Sequence, residues 1–114
     1  MKGQLGDKAR LQHIYDAILE IESYTQDVEI EEFLRNSMMR FACIKQIEII
    51  GEAGNHITKT TQLRFSEIEW GKIVSLRNIV IHEYFGIDFD VIWSVILSDI
   101  PDLKVKIENI LNQL

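Results

Sequence analysis

Arg77, Asn78, His82 and Tyr84 fall within one short run, Arg77-Asn78-Ile79-Val80-Ile81-His82-Glu83-Tyr84, of a segment that otherwise reads as an apolar helix. Histidine exchanges protons near neutral pH, and arginine binds a phosphate and stabilises the charge that develops on it. Together they suit metal-independent cleavage of a phosphodiester, with the 2′-hydroxyl of RNA attacking its neighbouring phosphate. The competing reading is structural. Arginine is always charged, and leaving that charge uncompensated on a core-facing helix costs on the order of several kcal/mol, comparable to the stability of a small domain. A buried Arg–Glu pair with a surface histidine accounts for the same residues, and the residues alone leave both readings open.

A helical projection at about 100° per residue separates the polar groups of this segment into two lines. Ile73, Val74, Leu76, Val80, Ile81 and Phe85 share an apolar arc with Trp70, and Arg77 falls in the middle of it, with Tyr84 two turns further along. Asn78 and His82, at i and i+4, share a polar edge with Ser75, where the amide can orient the imidazole. Ile79 stands alone on the polar side. Arg77 needs a carboxylate, an anionic ligand or an open cleft, and Glu52 on the preceding helix is a candidate carboxylate. Arg77 and His82 diverge by about 140°, so one helix does not focus both on one atom. Two copies packed across a dimer axis can, and Ile79 suits such a contact.

The elements that must position these groups are all helical. Asp7 to Tyr24 is predicted as an amphipathic helix through Leu11, Ile14, Tyr15, Ile18, Leu19 and Ile21. A short helix follows over Glu29 to Arg35, and Asn36-Ser37 caps a third from Met38 to Ile57 that carries Phe41, Ala42, Cys43, Ile44, Ile47, Ile49 and Ile50. Gly51 and Gly54 inside that helix each cost roughly 1 kcal/mol relative to alanine and mark the close approach of a neighbouring helix. Thr58 to Glu69 reads as a polar connection. The motif helix then runs from Trp70 to Tyr84 and ends at Gly86. Asp88 caps a helix through Val91, Trp93, Val95 and Leu97, and Pro101 opens a last one with Leu103, Val105, Ile107, Ile110 and Leu111. The expectation is an all-α, up-and-down bundle of about five helices, one domain over residues 1–114.

Composition sets the outer limits. A chain of 114 residues, 46% hydrophobic and 26% charged, can bury a sizeable core without staples, and one proline with six glycines disfavours a turn-rich β fold. The single cysteine excludes an internal disulfide and a cysteine-based zinc site, and Cys43 itself reads as a small core residue. No apolar run approaches the roughly 18 residues that span a bilayer, and the first residues lack a signal-peptide core, so a cytoplasmic protein is expected. The formal net charge of −6 argues against diffuse attraction to nucleic acid; any RNA must be met at a local positive site or in an oligomer that concentrates such sites.

The pattern Arg77-x-x-x-x-His82-x-Tyr84 resembles the signature of HepT-like toxins, minimal members of the HEPN superfamily of helical ribonucleases. The resemblance extends over essentially the whole chain. Asp7-Lys8-Ala9-Arg10-Leu11-Gln12-His13-Ile14 is similar to the family's opening helix, and Glu48-Ile49-Ile50-Gly51-Glu52-Ala53 to its Ile-Gly-Glu-Ala segment. Ile68-Glu69-Trp70 stands where the family usually has Ile-Pro-Trp. Val91-Ile92-Trp93 and Asp99-Ile100-Pro101-Asp102-Leu103 follow at the family's intervals. The resemblance implies a homodimeric, RNA-cleaving toxin of a type VII toxin–antitoxin system, encoded beside a minimal nucleotidyltransferase antitoxin. It implies Arg77 and His82 as the catalytic pair, Asn78 as the polar residue after the arginine, and Tyr84 as the hydroxyl that receives AMP from ATP. No cofactor and no metal are implied. A bulky anion two residues from His82 would block the cleft and repel an RNA phosphate.

Other residues read more plainly. His13 is expected to be a partly buried structural histidine, and His56 to favour the C-terminal end of its helix without chemistry of its own. No pair among His13, His56 and His82 has metal-ligand spacing. Glu20, Glu22, Glu29, Glu31 and Glu32 read as a solvated acidic face or a docking surface for a basic partner. Trp70 and Trp93 are expected in the core, and Arg40, Lys45 and Lys72 are surface charges of the right sign for an RNA path. The alternative function is a non-catalytic subunit that docks a nucleotidyltransferase or holds a nucleotide at Arg77.

Overall fold

A computed structural model describes residues 4–82 and 86–114, with side chains described for residues 6–78 and 86–114. His82 is therefore described by its backbone alone, and Tyr84 lies outside the described residues. The described residues are helical, without a strand, as expected: α1 (Gln4–Thr25), α2 (Ile30–Arg35), α3 (Ser37–Asn55), α4 (Lys59–Arg64), α5 (Trp70–His82), α6 (Phe89–Ser94) and α7 (Ile100–Gln113).

Periodicity explains the layering. Leu11, Ile14, Ile18 and Ile21 recur at helical spacing on α1 and are fully buried, as are Ile47 and Ile50 on α3 and Ile107 and Ile110 on α7. Each such side chain contributes roughly 1.5–3 kcal/mol of transfer free energy. α3 packs against α1 on one side and α5 on the other, while α7 covers another part of α1. The apolar stripes do not end in the core everywhere. Met38 and Phe41 in the first turns of α3, and Leu97 and Val105, stay largely exposed. Phe41 instead meets the ring of Phe89 edge-on at 6.1 Å.

Short polar side chains start the helices where the sequence places them. Asn36 accepts the Met39 N–H at 3.0 Å, and Asp88 accepts those of Asp90 and Val91. The stretch from Thr58 to Glu69 is not simply a connection, because it holds α4. Thr58 caps α4 by accepting the Thr61 N–H, and a partner far away in sequence secures both threonines. The buried carboxylate of Asp7 on α1 accepts the Thr58 N–H at 3.0 Å and the hydroxyls of Thr58 and Thr61 at 2.5 Å. Burial raises the Asp7 pKa, but these hydrogen bonds and the nearby Arg10 charge outweigh it and hold the carboxyl below its ordinary value. The start of α1 is thereby tied to the turn that feeds the motif helix. Trp70, the first residue of α5, completes the tie by donating its indole N–H to the Gln62 and Phe65 carbonyls.

α6 and α7 are one continuous helical path. Val95 and Asp99 both keep right-handed helical backbone angles, and the wider π-helical turn Val95–Asp99 joins them, with the Ile100 N–H donating to the Val95 carbonyl. A proline inside a regular helix lacks an N–H and its ring clashes with the carbonyl four residues back. The wider turn just before Pro101 removes that conflict, so the proline marks a change of helical pitch as well as a helix start.

Both glycines of α3 lie where another helix comes closest. A Cβ on Gly51 would stand 2.6 Å from the Cβ and 2.8 Å from the backbone nitrogen of Arg77, and one on Gly54 would stand 2.6 Å from Cγ2 of Ile73. Gly71 has nothing within 4 Å of such an atom. Gly51→Ala must therefore push α5 away and is expected to lower stability by about 1–3 kcal/mol in denaturant titration. Gly71→Ala, in open space, is expected to raise it by about 0.4–1 kcal/mol. Equal effects of the two substitutions would contradict this packing.

Candidate functional site

The glycine contact sets the position of Arg77. With α5 lying on Gly51, the guanidinium reaches the next residue of α3, and its Nη1 donates to Glu52 Oε2 at 2.6 Å. Glu52 Oε1 lies 3.1 Å from His56 Nε2, one helical turn on, so one carboxylate joins arginine and imidazole. The carboxylate expected from sequence is thus the one Arg77 finds. The pair is not sealed in the core: the Arg77 side chain is 29% exposed and that of Glu52 54%. Solvent screens an ion pair this open, so its main consequence is orientation rather than stability. The hydrogen bond from Arg77, seconded by that from His56, holds the Glu52 carboxyl below the ordinary glutamate range despite partial burial.

Arg77 opens into a cleft of about 390 Å³ where α1, α3 and α5 meet. Arg10 and His13 line it from α1, Lys45, Glu48, Glu52 and His56 from α3, with Ile49 and Ala53 as its apolar part. Such a volume suits a small ligand or a portion of a larger one. His13 is exposed in this cleft rather than partly buried, because α1 turns Leu11 and Ile14 inward and leaves residue 13 on the open side. His56, read at the end of its helix without chemistry of its own, is held by Glu52. These two histidines and Arg10 are the cleft residues that sequence reasoning passed over. For His56 a signal existed in the recurrence of Lys45, Glu48, Glu52 and His56 every three to four residues along α3 and its cap.

The remaining candidates separate. Asn78 is exposed on α5, His82 ends the described part of that helix, and Tyr84 lies beyond it. Lys45 is in the cleft, but Arg40 and Lys72 are not. Arg40 donates to the Phe33 and Leu34 carbonyls at the end of α2 and lies over the Phe89 ring. Lys72 pairs with Asp99 at 3.5 Å beside a small cavity of about 60 Å³ near the π-helical turn. Trp70 and Trp93 are buried, as expected, with the Phe33 ring tilted against that of Trp93 at 4.7 Å. Cys43 is buried as well, and desolvation pushes its thiol up to about 11, so it is no nucleophile. Among the described residues no group of three or more His, Cys, Asp or Glu side chains is arranged to hold a metal ion. No described helix is long and apolar enough to cross a membrane.

A helical bundle with an arginine oriented into an open, cation-lined cleft defines a class of protein suited to handling phosphate. Residues 14–110 match the sequence profile of the Ribonuclease HepT-like family, and the chain belongs to that family. A putative RNase of Methanocaldococcus jannaschii is 39% identical over 101 residues, covering 89% of this chain and 93% of the relative. A probable ribonuclease HepT of Thermococcus cleftensis is 39% identical over 103 residues, covering 90% of this chain and 94% of its own. A second M. jannaschii protein, described as a gamma-glutamylcyclotransferase and putative RNase, is 36% identical over 94% of this chain and 48% of its own length. No solved structure matches the chain. The family and enzyme class expected from sequence, a HepT-like ribonuclease, are those found.

The Glu52 contacts give a pH signature. A carboxyl whose folded value is lowered stabilises the fold above the ordinary glutamate range, and that contribution disappears as pH falls through the lowered value. Carbon-detected NMR titration should find Glu52 titrating below the ordinary range, and moving up towards it in Arg77→Ala. An unchanged midpoint in Arg77→Ala would contradict the observed pair.

Proposed function

We propose that this chain is the cytoplasmic toxin of a type VII toxin–antitoxin pair, a homodimeric, metal-independent endoribonuclease with Arg77 and His82 as its catalytic pair. The observation that carries the reading is the setting of Arg77. It is oriented by Glu52 into an open cleft bordered by charged side chains instead of being closed off in a structural ion pair. In this scheme His82 takes the proton of a 2′-hydroxyl, whose oxygen attacks the adjacent phosphorus. Arg77 stabilises the negative charge gathering on the phosphoryl oxygens, and the 5′-oxygen of the next nucleotide leaves with the proton that the His82 imidazolium gives back. The products are a 2′,3′-cyclic phosphate and a 5′-hydroxyl, so no water or metal enters the cleavage step. Asn78, one turn before His82, orients the imidazole.

At helical spacing Arg77 and His82 stand about 140° apart around the helix axis, which supports a dimer in which two motif helices face each other and bring the groups of both copies to one cleft. Neutralisation is assigned to a nucleotidyltransferase antitoxin that transfers AMP from ATP to the Tyr84 hydroxyl, releasing pyrophosphate. The added phosphodiester places an anion two residues from His82 and repels RNA. The formal charge of −6 favours the second reading, a non-catalytic subunit that docks the transferase or holds a nucleotide.

Incubating the purified protein with RNA in chelator separates the two. Cleavage is expected, with a loss of about 10²–10⁴-fold in His82→Ala and of similar order in Arg77→Ala, both still folded and dimeric by light scattering. Tyr84→Phe should cleave normally yet resist silencing by the transferase and ATP. An inactive unmodified protein would overturn the nuclease reading in favour of the docking subunit.

A further inference from the structure

The cleft beside Arg77 holds more positive charge than cleavage of one phosphodiester needs. Arg10, Lys45 and Arg77 face two carboxylates there, a surplus of one positive charge with His13 and His56 neutral and of three with both protonated, in a chain whose formal charge is −6. The carboxylates are also committed. Glu52 is shared by Arg77 and His56, and Glu48 lies 3.7 Å from Lys45 in a surface i,i+3 pair that a phosphate can outcompete. The carboxylate nearest in sequence to Arg10 is Asp7, and it is buried and saturated by Thr58 and Thr61. Arg10 and the exposed His13 line the cleft, and Arg10 bears on Asp7 through its charge, not as one of the hydrogen-bond donors that saturate it.

We infer that the groove between α1 and α3 is the seat of the RNA strand, with Arg10 and Lys45 binding phosphates that flank the one at Arg77. This rests on the ribonuclease reading and adds to it the residues that hold the substrate. The geometry favours a strand over a lone nucleotide. The charged face of α3 from Lys45 to His56 runs for roughly 16 Å at 1.5 Å per residue, longer than one phosphate can use. Ile49 and Ala53 give the lining an apolar part for sugar and base beside its cations. A chain with this overall charge gains affinity for RNA only where its cations are gathered, so removing one of them should be felt in both affinity and salt dependence.

The test uses the full chain carrying His82→Ala, so that RNA is bound without being cut. Fluorescence anisotropy with a labelled single-stranded oligoribonucleotide of about twelve nucleotides is recorded over a series of salt concentrations. Arg10→Gln and Lys45→Gln should each weaken binding about three- to tenfold and reduce the slope of log affinity against log salt by about 0.7, the value of one phosphate contact to a single strand. Lys45→Arg should bind as the parent does, and so should Lys106→Gln, whose lysine pairs with Asp102 elsewhere on the surface. AMP should compete far more weakly than the oligomer. Unchanged affinity and slope in both Arg10→Gln and Lys45→Gln would overturn the proposal, as would AMP binding as tightly as the oligomer. The same substitutions in the His82 protein distinguish the two failures. Undiminished cleavage by them removes the groove assignment alone, whereas absence of cleavage by the unsubstituted protein removes the ribonuclease reading and the groove with it.

Discussion

The contact of α5 with the bare backbone at Gly51 governs where the charge of Arg77 can go. No side chain fits between Gly51 and Arg77, so the guanidinium emerges directly beside Glu52 and continues into the cleft. A charged residue in the middle of an apolar arc is tolerable on those terms. Its aliphatic stem lies against the neighbouring helix while its head reaches a carboxylate and water. The two glycines are therefore part of the site, although neither has a functional group. Their cost in helix propensity is offset by a helix–helix approach that larger residues would forbid.

Much of the remaining structure keeps α3 and α5 in that relation. The buried Asp7 carboxylate ties the start of α1 to the turn between α3 and α4, and the Trp70 indole ties the start of α5 to α4. These polar anchors lie at one end of the helix pair, while Ile73 and Leu76 hold its length through burial. At the other edge, the helical path from Phe89 to Gln113 changes pitch before Pro101 and covers α1 with Leu103, Ile107 and Ile110. Orientation at the site thus draws on contacts far from it in sequence, a common arrangement where a side chain must be held to within a fraction of an ångström.

The helices and their capping residues were legible in sequence because they depend on local chemistry: the 3.6-residue period and the side-chain oxygens of Asn36 and Asp88. Glycines at 51 and 54 announced a close approach, and the charge of Arg77 announced the need for a carboxylate. What could not be read locally depended on distant partners. α4 forms where threonines suggested a connection, because Asp7 reaches across 51 residues to Thr58. His13 looked like a structural histidine until the packing of α1 on α3 left its side of the helix open. Arg40 looked like a surface cation, but the end of α2 takes its guanidinium as a partner for unpaired carbonyls. In each case the residue type was informative, and the element facing it was supplied by the fold.

Whether Glu52 acts through Arg77, by orienting it, is tested most directly by the coupling of the two in single-turnover RNA cleavage. Arg77→Lys keeps a charge but loses the planar fork that Glu52 holds, leaving a rate slow enough to compare and fast enough to measure. Glu52→Gln should slow cleavage by roughly tenfold in the otherwise unchanged chain and have almost no further effect in Arg77→Lys. Losses that simply multiply in the double variant would contradict it, because Glu52 would then act independently of the arginine it touches.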